Sequence, residues 1–244
     1  MHKLDIILRI TASAIWAAFY SLLFIIFAVL TLGLTSRWTT KPICSLFSRV
    51  HLKIWSIAFE IDGLDRVLHE GPGVFLFKHS SNIDFFLTSI AMPRLGMPLA
   101  KQELMYLPFI NLAWWAFGFG FLKRGRGERS VEAFNRFAAK IFKKRRVLVA
   151  SPEGTRAQAG ELLPFKKGCF IAAMNAKVPI QFFLLFNTQD AWPRDSLLPR
   201  PHVKLWAKVL PAIPTDDWTP ENLEAKIAAY HRGISHELQA FKPL

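Results

Sequence analysis

The stretch Val74-Phe-Leu-Phe-Lys-His79-Ser-Ser-Asn-Ile-Asp84 decides how the rest of the chain is organised. It opens with a short apolar run behind the turn-forming Gly71-Pro72-Gly73, a pattern typical of a buried strand. Ser80, Ser81 and Asn82 are residue types that cap helix N-termini, and an apolar helical pattern follows them. The stretch therefore predicts a strand, a turn and a helix in immediate succession.

The predicted strand delivers His79 to the turn, and Asp84 follows five positions later. A carboxylate at that position can accept the imidazole N–H, fix the ring tautomer and stabilise the imidazolium. We therefore expect His79 and Asp84 to be a catalytic pair in which the histidine acts as general base on a hydroxyl. Such a pair requires no metal ion, and we expect neither a metal site nor a cofactor.

Outward from this stretch, short apolar runs alternate with helical patterns. This alternation predicts an α/β domain with a mostly parallel central sheet flanked by helices. Ligands of such sheets bind at the carboxyl ends of the strands, so His79 and Glu153, which both follow strands, are expected to share one site. The expected strands are 74–77, 147–150, 180–186 and 203–209, and the expected helices are 84–91, a short piece at 104–118, 130–144, 167–175 and 221–241.

The N-terminal part of the chain is apolar without interruption. Residues 10–36 carry no charge, and this run exceeds both the roughly 20 residues that cross a bilayer and the apolar region of a signal peptide. The whole chain is 52% hydrophobic with a net charge of +13, a combination that favours an anionic membrane surface. A nucleic-acid-binding protein could share the charge but does not need this segment. We expect a membrane helix that either spans the bilayer or enters one leaflet.

A second helical segment, amphipathic in its spacing, is predicted at 41–60. It could lie in the membrane interface or return toward the same leaflet. Residues 1–60 are thus predicted as membrane-associated helices and 61–244 as the α/β domain. Basic residues follow the first segment, so the positive-inside tendency predicts an inner-membrane protein whose catalytic domain faces the cytoplasm.

Basic residues stand out in two settings: single cations near glycines, and dense basic segments. Lys101 and Arg124 bring positive charge to a mostly apolar surrounding, where a phosphate would be a suitable counter-ion. The segments 123–129 and 140–146 are strongly basic, which favours contact with anionic lipid headgroups or an acidic carrier protein, although a solvated basic surface explains them equally well.

The predicted strand at 147–150 is followed by Glu153-Gly-Thr-Arg156. Gly154 permits a sharp turn, Thr155 adds a hydroxyl, and Arg156 offers a planar guanidinium that matches a phosphate or a carboxylate. Glu153 is expected to orient either Arg156 or another group of the site. A structural turn with a surface arginine is the alternative interpretation.

Four segments taken together resemble the conserved blocks of the glycerolipid acyltransferase family, in particular its bacterial 1-acyl-sn-glycerol-3-phosphate acyltransferase type. They are, in order, His79-Ser-Ser-Asn-Ile-Asp84, Phe121-Leu-Lys-Arg124, Pro152-Glu-Gly-Thr-Arg156 and Val178-Pro-Ile180. Leu163-Pro-Phe-Lys-Lys-Gly168 also resembles a segment of these enzymes. The likeness covers about residues 75–183.

The resemblance implies transfer of an acyl group from acyl-CoA or acyl carrier protein to the free hydroxyl of lysophosphatidic acid or a related lyso-lipid, giving phosphatidic acid in the first case. His79 would be the general base and Asp84 its partner, while Lys101, Arg124 and Arg156 would bind the acceptor phosphate. The expected substrate-binding set also contains Glu153, Gly154 and Thr155.

Three positions depart from the family pattern: Lys123 where aspartate is usual, Ser151 where phenylalanine is frequent, and Phe182 where a second proline is common. They leave open another lyso-lipid acceptor, such as a lyso-aminolipid or another lysophospholipid. A non-catalytic lipid-binding protein and a Ser/His/Asp hydrolase are further alternatives. The chain retains the His–Asp pair and has no G-x-S-x-G nucleophile elbow, which favours the acyltransferase.

Overall fold

The structure is a computed structural model that describes residues 3–30, 36–68, 71–101, 106, 120–122, 128–158 and 160–241. Its helices are α1 (Lys3–Leu30), α2 (Ser36–Ile54), α3 (Asp84–Ala91), α4 (Glu128–Lys143), α5 (Gly168–Ala176), α6 (Thr188–Ala191) and α7 (Leu223–Ala240). Its strands are β1 (Ala58–Asp62), β2 (Gly73–Phe77), β3 (Gly96–Lys101), β4 (Gly120–Leu122), β5 (Val147–Ala150), β6 (Ile180–Phe186) and β7 (Lys204–Val209).

The described strands form one seven-stranded sheet in the order β1-β7-β6-β2-β5-β3-β4. All neighbouring pairs are parallel except β6 and β7, which are antiparallel. Strands β6, β2, β5, β3 and β4 therefore run in one direction, and their carboxyl ends meet at the same edge. The predicted fold class, a mostly parallel sheet flanked by helices and preceded by an apolar helix, is confirmed.

Both faces of the sheet are buried, as a parallel sheet between two helical layers requires. Alternate residues of the central strands enter opposite cores because side chains in a strand alternate between faces. Phe75 and Phe183 belong to the core shared with α2 and α3, whereas Leu76 and Phe182 belong to the core shared with α4, α5 and α7. The continuous apolar runs of β2 and β6 follow from this double burial.

The predicted strands 74–77, 147–150, 180–186 and 203–209 match β2, β5, β6 and β7 to within a residue at each end. The sequence did not predict β1, β3 or β4. Strand β1 carries Glu60 and Asp62 at exposed edge positions, β3 contains Pro98, and β4 has three residues. Strands β1 and β4 are the two edges of the sheet, where exposed charge and short length are common, and a proline within β3 lowers its strand propensity, so each apolar signal is weak. The helical piece predicted at 104–118 lies, except for residue 106, outside the described residues.

The second N-terminal segment differs from its prediction, since the helix α2 ends at Ile54 and not at residue 60. Residues Ala58–Asp62 form β1, which pairs with β7. Phe59 and Ile61 pack toward the core while their neighbours are exposed, an alternation of period two that outweighs the helical interpretation. The predicted domain boundary after residue 60 falls inside this strand.

Helices α1 and α2 form an antiparallel pair held by polar side chains within an apolar contact. Trp16 Nε1 donates to the Phe47 carbonyl at 3.2 Å, and Trp55 Nε1 donates to Ser13 Oγ at 2.9 Å. Arg9 Nη1 donates to Ser56 Oγ at 3.0 Å, which brings the start of α1 to the end of α2.

The opposite face of α1 is apolar and exposed. Lys3–Phe27 has a mean hydropathy of 2.0, and only 11% of its most apolar window is buried. Among the described residues it is the helix long and apolar enough to cross a membrane. Its exposed apolar face includes Ile15 and Leu22, which are 65% and 61% exposed. These features indicate membrane association.

Candidate active site

His79 and Asp84 lie at the carboxyl edge of the sheet, between the end of β2 and the start of α3. The His79 Nδ1 and Asp84 Oδ2 atoms are 2.9 Å apart, a hydrogen-bonding distance. The His79 side chain is 28% exposed and the Asp84 side chain is fully buried. Because Nδ1 faces a carboxylate, it carries the proton of the neutral imidazole, and Nε2 is left as the nitrogen that can accept one.

Asp84 also organises the backbone of the turn. Its Oδ2 atom accepts the backbone N–H groups of Ser80 at 2.6 Å and Ser81 at 2.8 Å, in addition to the imidazole. The expectation that Ser80, Ser81 or Asn82 caps α3 is wrong, since the N-cap is Ile83 and makes no side-chain cap bond. The Asp84 carboxylate orders the turn instead, and it lies in the first turn of α3, where the helix dipole favours negative charge.

Glu153 holds the backbone on which His79 sits. It is 2% exposed, and its Oε1 accepts the His79 N–H at 3.2 Å while its Oε2 accepts the Leu163 N–H at 3.1 Å. The Ala157 N–H donates to the His79 carbonyl at 2.8 Å. Burial raises the pKa of Glu153, and the two backbone N–H groups together with Lys78 and His79 oppose this effect. The turn after β5 therefore fixes both backbone groups of His79.

Arg156 links the turn after β5 to the His79–Asp84 turn. Its Nη1 donates to Asn82 Oδ1 at 3.1 Å, so the guanidinium lies beside the turn that carries His79 and Asp84. Gly154 has φ +69°, a left-handed conformation that favours glycine. Thr155 is exposed to solvent beside it. The structure thus brings Arg156, Gly154 and Thr155 to the same edge as His79.

Lys101 is the last residue of β3, and its Cα pairs with that of Leu122 at the end of β4. Since β3 runs parallel to β5 and β5 to β2, Lys101 lies at the same sheet edge as His79. The structure describes the backbone of Lys101. Arg124 lies outside the described residues.

The sequence reasoning did not find Lys78, which is 3% exposed, immediately precedes His79 and places its Nζ 3.3 Å from Ser80 Oγ. Burial lowers the pKa of Lys78, while the nearby carboxylates, that of Glu153 foremost, oppose this effect. Ser80 Oγ is also 3.0 Å from Thr188 Oγ1. A lysine directly after an otherwise apolar strand was the available signal.

Gln189 is a second residue that the sequence reasoning missed. Its Nε2 donates to the Ser80 carbonyl at 3.2 Å and to the Ala157 carbonyl at 2.9 Å, and so joins the two turns of the site. Ser81 Oγ donates to the Trp192 carbonyl at 2.7 Å. These hydrogen bonds come from α6 and from the residue after it. The bonds to Ser80 and from Ser81 join residues more than 100 positions apart, and no local sequence pattern predicts such contacts.

The fold is a mostly parallel α/β sheet with a histidine–aspartate pair at its carboxyl edge, and comparison with known proteins identifies the family. Residues 58–182, just over half of the chain, match the family model described as Acyltransferase. The chain therefore belongs to the acyltransferase family, as its sequence motifs predicted.

Relatives carry a more specific name. The 1-acyl-sn-glycerol-3-phosphate acyltransferase of Cocos nucifera is 30% identical over 172 residues, which are 70% of this chain and 56% of that protein. The protein of the same name from Limnanthes alba is 30% identical over 79% of this chain and 69% of its own length. The human 1-acyl-sn-glycerol-3-phosphate acyltransferase alpha is 29% identical over 72% of this chain and 62% of its own. The chain thus spans about 56–69% of the length of these three relatives.

The fold has a counterpart among solved structures. The crystal structure of the 1-acyl-sn-glycerophosphate (LPA) acyltransferase PlsC from Thermotoga maritima superposes with a TM-score of 0.68 and covers 95% of this chain and 100% of that one. The identity is 19%, so the match concerns the fold.

Proposed function

We propose that this chain transfers an acyl group from acyl-CoA or acyl carrier protein to the free hydroxyl of 1-acyl-sn-glycerol-3-phosphate, giving phosphatidic acid. The observation that carries the proposal is the His79–Asp84 pair, which leaves one imidazole nitrogen available at the sheet edge. Family membership and the names of the relatives support the same reaction.

In this mechanism the Nε2 atom of His79 removes the proton from the acceptor hydroxyl as its oxygen attacks the thioester carbonyl. The tetrahedral intermediate then collapses, the C–S bond breaks, and the imidazolium returns its proton to the departing thiolate. Asp84 stabilises the imidazolium between these steps. General base catalysis of this kind contributes roughly 10²–10⁴-fold to the rate.

Glu153 acts in this proposal as a positioning residue, because both of its oxygens accept backbone N–H groups. Of the two roles expected from sequence, orientation of Arg156 or of another group, its contacts support the second. We assign recognition of the acceptor phosphate to Arg156, Lys101 and Arg124, with Gly154 and Thr155 forming the turn beside them.

Hydrolysis through a serine nucleophile fits the geometry poorly. Ser80 Oγ is buried against Thr188, and Ser81 Oγ is buried and donates to a backbone carbonyl. Ser151 Oγ is buried as well. In the acyltransferase reaction the lipid hydroxyl is the nucleophile, so none of these serines needs to be exposed.

Phe182, one of the departures from the family pattern, is a core residue. Phe182 is fully buried in β6, and its ring centroid lies 5.8 Å from that of Phe165. Its place in the core gives no reason to change the acceptor. Lys123, the other departure that bears on the acceptor, lies outside the described residues, so a different lyso-lipid remains the alternative that the substrate assay addresses.

We infer that α1 and α2 attach the enzyme to the inner membrane, with the α/β domain on the cytoplasmic side. The exposed apolar face of α1 and its packing along α2 support attachment through a helix pair. Exposed cations after and within α4 would add attraction to anionic lipids: Lys140, Lys143, Lys144 and Arg145. Arg146 does not belong to this set, because it is 6% exposed and its Nη2 donates to the Gly96 carbonyl at 3.1 Å.

The test is acyl transfer by the purified full-length chain in detergent, with acyl-CoA or acyl carrier protein as donor and lysophosphatidic acid as acceptor. The wild type should form phosphatidic acid, and His79→Ala should lose about 10²-fold or more of the turnover. His236→Ala is the matched control, since His236 is an exposed histidine on α7.

Four other outcomes are informative. Product from a different lyso-lipid would keep the mechanism and change the substrate. Fatty acid released without an acceptor would support a hydrolase. No transfer to any lyso-lipid, or full activity of His79→Ala, would refute the proposal.

A further inference from the structure

Lys166 lies directly against the glycine turn that follows β5. Its backbone N–H donates to the Pro152 carbonyl at 2.8 Å. A Cβ atom placed on Gly154 would lie 2.5 Å from Lys166 Nζ and 2.6 Å from its Cε. The lysine side chain therefore occupies the space that the glycine leaves open, and its ammonium is at the turn.

Within the described part of the chain, no carboxylate forms an ion pair with the ammonium of Lys166. Among the described residues, the ion pairs within 4 Å include neither Lys166 nor Arg156. Lys167 differs, since its Nζ forms an ion pair with Glu224 of α7. The two adjacent lysines thus have different environments: Lys167 pairs with Glu224, whereas Lys166 lies at the Gly154 turn with no ion pair among the described residues.

The start of α5 adds to the positive potential there. The helix has nine residues and begins at Gly168, two positions after Lys166. Its N-cap makes no side-chain hydrogen bond, and its first turn contains no acidic residue. The unpaired N–H groups at a helix start favour an anion nearby.

We propose that Lys166 binds the phosphate of the acceptor lipid together with Arg156, which follows Gly154 by two residues in the same turn. The inference rests on the proposed function. Arg156 donates to Asn82, which lies between His79 and Asp84 in sequence, so a phosphate held at this turn sits beside the catalytic pair. Lys166 thereby helps to place the acceptor hydroxyl at His79.

A lost hydrogen bond to a charged group should weaken acceptor binding by about tenfold or more. Lys166→Met is the informative variant because methionine keeps an aliphatic stem over Gly154 and removes the charge. Lys167→Met is its matched control, since it makes the same chemical change at the neighbouring position that pairs with Glu224. Lys166→Arg retains the charge and should retain most of the acceptor affinity.

The experiment measures steady-state acyl transfer from acylated acyl carrier protein to lysophosphatidic acid, and varies each substrate separately. Lys166→Met should raise the acceptor KM about tenfold, with kcat and the donor KM within about twofold of wild type. Lys167→Met should match wild type in all three. Thermal unfolding of each variant within about 2 °C of wild type would show that the exposed substitutions leave the fold intact.

Several results would overturn the inference while leaving the proposed function in place. One is an acceptor KM for Lys166→Met that equals the wild-type value, as the KM of Lys167→Met should. Another is an equal rise in both variants, which would indicate general surface charge and not a contact. A rise confined to the donor KM would assign Lys166 to the carrier. If the wild type transferred no acyl group to any lyso-lipid, the proposed function would fail first and this inference with it.

Discussion

Replacement of Glu153 by glutamine tests whether the Glu153 carboxylate holds the backbone of His79 in place. The two carboxylate oxygens accept the N–H groups of His79 at 3.2 Å and Leu163 at 3.1 Å in a site where Glu153 is 2% exposed. Glutamine has nearly the same size, but one oxygen becomes an NH₂ group. Whichever way the amide points, one backbone N–H then faces another donor.

The cost follows from these contacts. One hydrogen bond to a charged group contributes about 1.5–3 kcal/mol, and a buried donor left without a partner costs about 1–3 kcal/mol. Burial raises the pKa of Glu153, which means that the charge itself is unfavourable there, and its removal offsets part of the loss. We expect the free energy of unfolding to fall by about 2–4 kcal/mol, which lowers the Tm of a chain of this size by about 4–16 °C.

Activity should fall as well, because the backbone of His79 loses a fixed partner in some or all molecules. A small misplacement of a catalytic group can cost up to about 100-fold, so we expect kcat to decrease by about 10-fold to 100-fold. Thermal unfolding by circular dichroism and steady-state acyl transfer measure the two effects.

Glu161→Gln is the matched control, since Glu161 is an exposed glutamate eight residues away. It should leave Tm within about 2 °C and activity unchanged. A Glu153→Gln variant with the Tm and kcat of this control would show that the two backbone contacts do not support the histidine.

Two further predictions concern stability. Burial lowers the pKa of His51 to about 4, so protonation favours the unfolded chain: stability should be complete above about pH 6.5 and fall toward pH 4, by about 1.4 kcal/mol per unit. His51→Phe, which preserves the stacking on Phe86, should show a shallower loss of Tm between pH 7 and 5, and identical slopes would contradict this. Arg146→Met should lower the free energy of unfolding by about 1.5–3 kcal/mol through the lost bonds to the Leu95 and Gly96 carbonyls, whereas the exposed neighbour Arg145→Met should not, as measured by urea titration.

The contact between His79 and Asp84 could be predicted from sequence because its geometry is local. Four residues separate His79 from Asp84, and a strand followed by a tight turn and a helix leaves few ways to arrange them. The central strands were predictable for a related reason, since burial on both faces produces continuous apolar runs. Strands β1, β3 and β4 have weaker patterns: β1 and β4 are the edges of the sheet, and β3 pairs with the three-residue β4, so solvent or a short ladder permits charge, proline and glycine.

The sequence by itself determined the α/β class, the apolar N-terminal helix, the His79–Asp84 pair and the basic turn at Arg156. Tertiary structure alone decided which distant groups hold that pair: Glu153 and Ala157 on the backbone of His79, and Gln189 across the two turns. Tertiary structure also gives neighbouring residues of the same type different environments. Arg146 is buried whereas Arg145 is exposed. Lys167 pairs with Glu224, whereas the Lys166 side chain lies against Gly154. The physical reason is that residue type and spacing fix local geometry, whereas the partner of a charge or a backbone N–H depends on which remote segments the packed sheet brings within about 3 Å.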